Sequence, residues 1–233
     1  MNILGLDTCF PALTVAVGAG LATPVAKVVA RTELMTTGHA ERLMPLISEM
    51  LPQADLTIAD IQRVAVTIGP GSFTGARIGI AAARALKLAC EISIVSFTSL
   101  EAIAVSPAIE VALGENLAVA IDAHRGEAYV QVFDGATRDP LADPRIMSMT
   151  DLTSLTHQRP LLVVGTAAQT LAAAVNVAGG IARAHPGMIF PDMAAAADRA
   201  VLRQIASRPV EPLYLRPADA KPQAGKTLER AGA

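Results

Sequence analysis

The chain has 233 residues, of which 52% are apolar and 17% charged, and its formal net charge is −2. That length accommodates one large domain or two lobes and excludes a disulfide-stapled miniprotein, while the apolar share excludes disorder over most of the chain. The near-neutral charge and few aromatics (no Trp, two Tyr, five Phe) exclude a broad basic, base-stacking surface that grips nucleic acid unaided.

The first 35 residues read as three strands. Asn2–Asp7 (NILGLD) is a short apolar run ending in an aspartate, and Ala12–Gly18 and Val25–Ala30 follow after gaps of turn length. The period then changes. Leu43, Leu46, Ile47, Met50 and Leu51 recur at helical spacing within His39–Leu51, with Pro45 inside the pattern as either a kink or a first turn. Arg63–Gly69 reads as a buried strand, a Gly/Pro loop follows, and Gly75–Cys90 reads as a second helix. The strand Ile92–Ser96 and a helix from Thr98 complete the first half.

The second half repeats this order. Leu117–Asp122 (LAVAID) matches NILGLD as an apolar strand ending in Asp, and a further strand follows each aspartate. Thr14 and Tyr129 both lie seven residues beyond their aspartate. An extended run near Ile146, a helix at 150–155, the strand Leu161–Val164 and a helix from Ala167 continue the parallel, which predicts a duplicated β-β-α-β unit. Leu161 to Ala182 carries no charge over 22 residues. Its glycines, Gln169 and Asn176 favour a strand, a turn and an Ala-rich helix over a membrane span. The expected division is a lobe over 1–105, a second over 106–217, and a flexible tail over 218–233. The two cysteines, Cys9 and Cys90, form no CxxC and suit a reducing compartment, and the opening residues lack a leader pattern; both predict a cytoplasmic protein.

Chemistry-bearing positions are few. Asp7 and Thr8 at a strand end can place a carboxylate and a hydroxyl near a metal-nucleotide, or simply bond their own turn. The segment Gly69-Pro70-Gly71-Ser72-Phe73-Thr74-Gly75 can present helix N–H groups to an anion, with Gly71 and Ser72 as candidates, or Ser72 or Thr74 can cap the helix. It ends in no Gly-Lys-Ser/Thr and is not a phosphate-binding lysine loop. The four histidines show no metal-ligand spacing and no GxSxG occurs, so no catalytic residue and no metal ligand is assigned. The helix Gly75–Cys90 is charged only at Arg77, Arg84 and Lys87, within a strip about 80° wide at ~100° per residue. Such a helix is covered on more than one side, by its own lobe or by another subunit.

The opening ILGLDTCFPALTVAV, the segment Gly38-His39-Ala40-Glu41-Arg42-Leu43-Met44-Pro45, the loop GPGSFTGARIG, the turn IDAHRGEAYV and the late PLYLR resemble the TsaB family. The resemblance runs in family order to about Arg216. It implies the two-lobed actin-like ATPase fold (sugar kinase and Hsp70 superfamily, a ribonuclease H-like duplication). It also implies a non-catalytic dimerisation subunit of the complex that makes threonylcarbamoyladenosine in tRNA. The implied partners are the catalytic subunit TsaD and the ATPase TsaE, with a homodimer when the chain is alone, tRNA contacted only through the complex, no membrane and no cofactor. On this resemblance His39, Glu41, Met44, Arg77, Ile78, Gly79, Ala82 and Leu86 are carried over as interface residues, with Gly79 expected to face a partner helix. The alternatives are an active kinase or metallopeptidase-like enzyme of the same superfamily, or a nucleotide-sensing module.

Overall fold

A computed structural model of the chain describes residues 1–148, 151, 159–187, 190–205 and 208–216. Five strands of the first half, β1 (Ile3–Phe10), β2 (Ala12–Ala19), β3 (Lys27–Leu34), β4 (Arg63–Thr67) and β5 (Ser93–Phe97), form one sheet in the order β3-β2-β1-β4-β5. The first three pair antiparallel, whereas β4 and β5 extend the sheet in parallel beside β1. Helix α1 (His39–Met50) links β3 to β4, α2 (Phe73–Cys90) links β4 to β5, and α3 (Ser99–Ala104) follows β5.

The second half builds β6 (Asn116–Asp122), β7 (Glu127–Phe133), β8 (Arg145–Ser148), β9 (Leu161–Val164) and β10 (Ala182–Ala184). Their order, β8-β7-β6-β9-β10, with β6–β7–β8 antiparallel and β6–β9–β10 parallel, repeats that of the first sheet. The duplication anticipated from the paired aspartates is therefore present strand for strand. Helix α4 (Ala168–Val177) links β9 to β10, and α5 (Met193–Ala200) is the last helix among the described residues.

The central strands are buried on both faces, so they read as continuous apolar runs. Alternate residues of β1 point to opposite sides. Leu4 and Leu6 join Leu43, Leu46 and Ile47 of α1 and Ile80 and Leu86 of α2. Ile3 instead faces Met193, Ala196, Ala197 and Ala200 of α5. Thus α5, which follows all the strands of the second sheet, packs against the first. A further apolar layer gathers Phe10, Leu100 and Ile103 with Leu117, Val119 and Phe133 and joins the two halves.

Three readings shift. β3 begins at Lys27 and runs to Leu34, because an exposed edge strand tolerates Arg31, Thr32 and Glu33 where no apolar run marks it. Helix α1 continues through Pro45, and α2 begins at Phe73 with Ser72 as its cap. The uncharged stretch resolves into β9, α4 and β10, and no helix among the described residues is long and apolar enough to cross a membrane. The expected helix at 150–155 and the expected tail lie outside the described residues, apart from Asp151.

Candidate functional site

A cleft of about 890 Å³ opens between the two sheets. One wall carries Cys9, the start of α1 (Gly38 to Glu41) and the loop Gly71–Gly75; the other carries Asp122, His124 and Thr166. The cleft is also lined by the last residues of β1, Cys9 and Phe10, where the β1–β2 register slips between Asp7 and Phe10.

The end of β1 and the start of α2 are locked together by contacts that leave no room for side chains. The Thr8 hydroxyl donates to the Gly75 carbonyl at 2.6 Å and accepts from the Gly79 amide at 3.1 Å. It therefore bridges an i, i+4 pair of the helix, the position where a side chain enters the helical ladder. A Cβ on Gly75 would lie 1.9 Å from the Thr8 carbonyl oxygen, and one on Gly79 would lie 2.7 Å from Thr8 Oγ1 and 3.4 Å from a Val66 methyl. At Gly71, where φ is +154°, a Cβ would meet the Cys9 carbonyl oxygen at 2.4 Å. The glycines of the loop thus serve the close approach of backbone to backbone.

Asp7 is fully buried. Its Oδ1 accepts from the Cys9 amide at 3.2 Å and from the Thr67 hydroxyl at 2.5 Å, while Oδ2 meets no hydrogen-bond partner among the described residues. Burial pushes its carboxyl from the ordinary 3.8 up to about 6, against the opposing pull of Thr67 and the Cys9 amide. The neighbouring Cys9 thiol is pushed up to about 12, by burial first and the Asp7 charge second. It is therefore not a nucleophile near neutrality. In the second sheet Asp122 holds the matching place, and its Oδ1 accepts from the His124 amide at 2.8 Å. Both aspartates bond the backbone two residues on, the local alternative left open from the sequence, although β1 continues three residues past Asp7 to Phe10 whereas β6 ends at Asp122.

The candidate positions separate accordingly. Asp7 and Thr8 are wholly enclosed and neither lines the cleft; Asp7 bonds Cys9 and Thr67, and Thr8 bonds α2. Gly71 and Ser72 do line the cleft, although the Ser72 hydroxyl is engaged in accepting from the Gly75 amide at 3.1 Å. His39 is largely buried, with Nε2 3.0 Å from the Phe10 carbonyl oxygen, so it pins α1 to β1 at the wall of the cleft. Gly79 and Leu86 are corrected. They fall on the inward stripe of α2 with Ala76, Ile80 and Ala83, and Gly79 lies against this chain's own β1 and β4. Glu41 and Met44 are exposed on α1, Ile78 and Ala82 are half-buried, and Arg77 is exposed.

Arg77 has an unanticipated role. Its guanidinium lies 3.8 Å from the centre of the Phe73 ring, and its Nε donates to the Tyr214 hydroxyl at 2.9 Å. The Tyr214 ring packs against Phe73 with centroids 5.3 Å apart. Tyr214 belongs to the PLYLR segment, so the sequence did hold the signal, as a motif without an assigned place. Among the described residues no group of three or more His, Cys, Asp or Glu side chains is placed to hold a metal ion.

Two copies of one five-stranded unit, facing each other across a cleft, define the actin-like ATPase fold. The structure titled YeaZ from Pseudomonas aeruginosa is similar to this chain in fold, with a TM-score of 0.73 at 21% identity over 92% of this chain and 99% of that one. A family model described as TsaD, tRNA N6-adenosine threonylcarbamoyltransferase, matches residues 31–218. The chain is 35% identical over 129 residues to the tRNA threonylcarbamoyladenosine biosynthesis protein TsaB of Escherichia coli, a match covering 55% of this chain and 53% of that protein. It thus spans about half the length of that relative. With an uncharacterized protein of Mycobacterium tuberculosis it shares 33% identity over 232 residues, 96% of this chain and 95% of the other. The chain belongs to the TsaB family within this threonylcarbamoyltransferase group.

Proposed function

We propose that the protein is a non-catalytic subunit in the synthesis of threonylcarbamoyladenosine in tRNA, and that it pairs with a TsaD-like catalytic subunit through α1 and α2. The observation that carries this reading is the outward face of α2. Ala81, Ala85 and Ala89 are exposed, Leu88 is 87% exposed, and Met44 of α1 adds a further 46%-exposed apolar side chain. Small residues along a helix permit close approach of a second helix, and an exposed apolar strip of this kind gains by being covered. Family membership supplies the reaction. The enclosed Asp7, the high thiol of Cys9 and the committed His39 support a scaffold over a catalyst. A homodimer through the same face and the recruitment of a TsaE-like ATPase belong to this reading.

Ala85→Arg tests it. The site is exposed, so the melting temperature of the isolated chain should hold. Burying an unpaired guanidinium in the contact should cost on the order of 3 kcal/mol and weaken pairing roughly a hundredfold. Co-elution with the catalytic subunit and threonylcarbamoyl transfer to tRNA read the outcome; unchanged pairing refutes the placement. The isolated chain, with its net charge of −2, should bind tRNA weakly and lose that binding steeply with salt in an anisotropy titration.

A further inference from the structure

Residues 208–216 run from the flank of α2 to the second sheet, and three contacts fix them to the first unit. Arg84 donates to the Val210 carbonyl, the Leu213 amide donates to the Ile68 carbonyl at 2.8 Å, and Tyr214 sits in the stack with Phe73 and Arg77. At its far end Arg216 forms an ion pair with Glu127, the first residue of β7 in the second sheet. Arg216 also lines the cleft between the sheets, and Tyr214 a neighbouring groove beside the Gly69–Phe73 loop. One short segment therefore grips both halves at the margin of the space between them.

We propose that residues 208–216 are a latch that sets the opening of the cleft, with Tyr214 as its anchor on α2 and the Arg216–Glu127 pair as its fastening on the second sheet. The anchor is preformed. Arg77 is held by both a ring face and the tyrosine hydroxyl, so this end is specified by direction as well as by contact. The fastening is different in kind. It is an ion pair whose side chains are 23% and 35% exposed, which strains, salt or a competing charge can release without unfolding either sheet. Among its described residues the latch contributes only Val210 to the layer beneath α1 and α2, so its release leaves that core in place, and the apolar layer of Phe10, Leu100 and Ile103 with Leu117, Val119 and Phe133 that joins the two halves serves as the pivot. The result is a two-position element, which a hinge between two packed units requires. Since the anchor lies on the first turns of α2, the width of the cleft and the attitude of that helix are tied through one segment.

Electron spin labels across the cleft test this in the full chain. Exposed positions on helices of the two units suit the purpose, Glu41→Cys on α1 and Gln169→Cys on α4, in a Cys90→Ala background with Cys9 left in its buried place. With the latch intact the inter-label distance should be single and narrow. Arg216→Glu should broaden it and shift it by several ångströms to longer separation, as should Tyr214→Ala, which acts at the other end and serves if the first variant folds poorly. Combining Arg216→Glu with Glu127→Arg should restore the narrow distribution. If Arg216→Glu and Tyr214→Ala lower the melting temperature yet leave the distance unchanged, the segment is packing alone and the latch is overturned. If both single changes broaden the distribution and the charge swap does not recover it, the ion pair is not the fastening.

Discussion

Gly75→Ala should destabilise the protein by about 3 kcal/mol, although alanine is the better helix former. The gain in helical propensity is at most ~1 kcal/mol. Against it stands a methyl placed 1.9 Å from a backbone carbonyl oxygen of β1, a clash that only a shift of the whole helix relieves. Overpacking of this kind costs ~1–3 kcal/mol, and the two hydrogen bonds of Thr8 that the shift would break contribute ~1 kcal/mol each. For a chain of this size the melting temperature should fall by roughly 6–12 °C. Gly79→Leu should act in the same way, as a defect of the monomer and not of its pairing, because the added side chain enters the space held by Thr8 and Val66. Thermal unfolding of the isolated chain decides both cases. A rise in melting temperature for either variant would mean that α2 stands farther from β1 than described.

Asp7→Asn should have the opposite sign. The carboxyl titrates near 3.8 when unfolded and about 6 when folded, so between these values the folded chain holds the extra proton. Stability from this group is fully present below about pH 4 and is lost as the pH rises through 6. The loss amounts to about 3 kcal/mol, since each pH unit across that window is worth ~1.4 kcal/mol. Asparagine keeps an oxygen for Thr67 and the Cys9 amide and carries no charge. At pH 8 the variant should therefore be more stable by about 2 kcal/mol, with a melting temperature roughly 4–8 °C higher. The stability of the variant relative to the parent chain should also rise steadily as the pH goes from 4 to 7. Denaturant titrations at four or five pH values measure this, and parallel curves for the two proteins would contradict a buried, partly orphaned carboxylate.

The elements legible in the sequence were those whose burial leaves a periodic mark. β1, β2 and β4 are covered on both sides and read as apolar runs, and the five large residues of α1 fall on one stripe. The duplication was legible because both halves carry, after the apolar run of their first strand, an aspartate that bonds the backbone two residues on. By contrast, α5 was missed. Its sequence, MAAAADRA, has only one large apolar side chain, and its fit depends on small surfaces meeting. A Cβ on Gly5 would lie 2.8 Å from the Met193 carbonyl oxygen. Hydropathy does not register such a contact. The candidate site failed at Gly79 for a related reason. A small residue in a helix announces that another backbone comes close, and a strand of the same chain satisfies that as well as a helix of another subunit. The charged strip of α2 gave no sign that Arg77 and Arg84 are occupied by residues 126 or more positions away.

The placement of α5 also bears on how the chain is made. The first sheet is complete in sequence at Phe97, yet the face bearing Ile3, Ala16, Ala65, Val95 and Phe97 is covered by residues that begin at Met193. At translation rates of 5–20 residues per second, the 95 intervening positions take about 5–20 s. During that interval the nascent N-terminal half holds an apolar sheet with one bare side, and the whole second sheet is synthesised before the covering helix leaves the ribosome. The N-terminal half is thus a customer for whatever shields apolar surface during synthesis, and α5, far from being an appendage, closes the part of the chain made first.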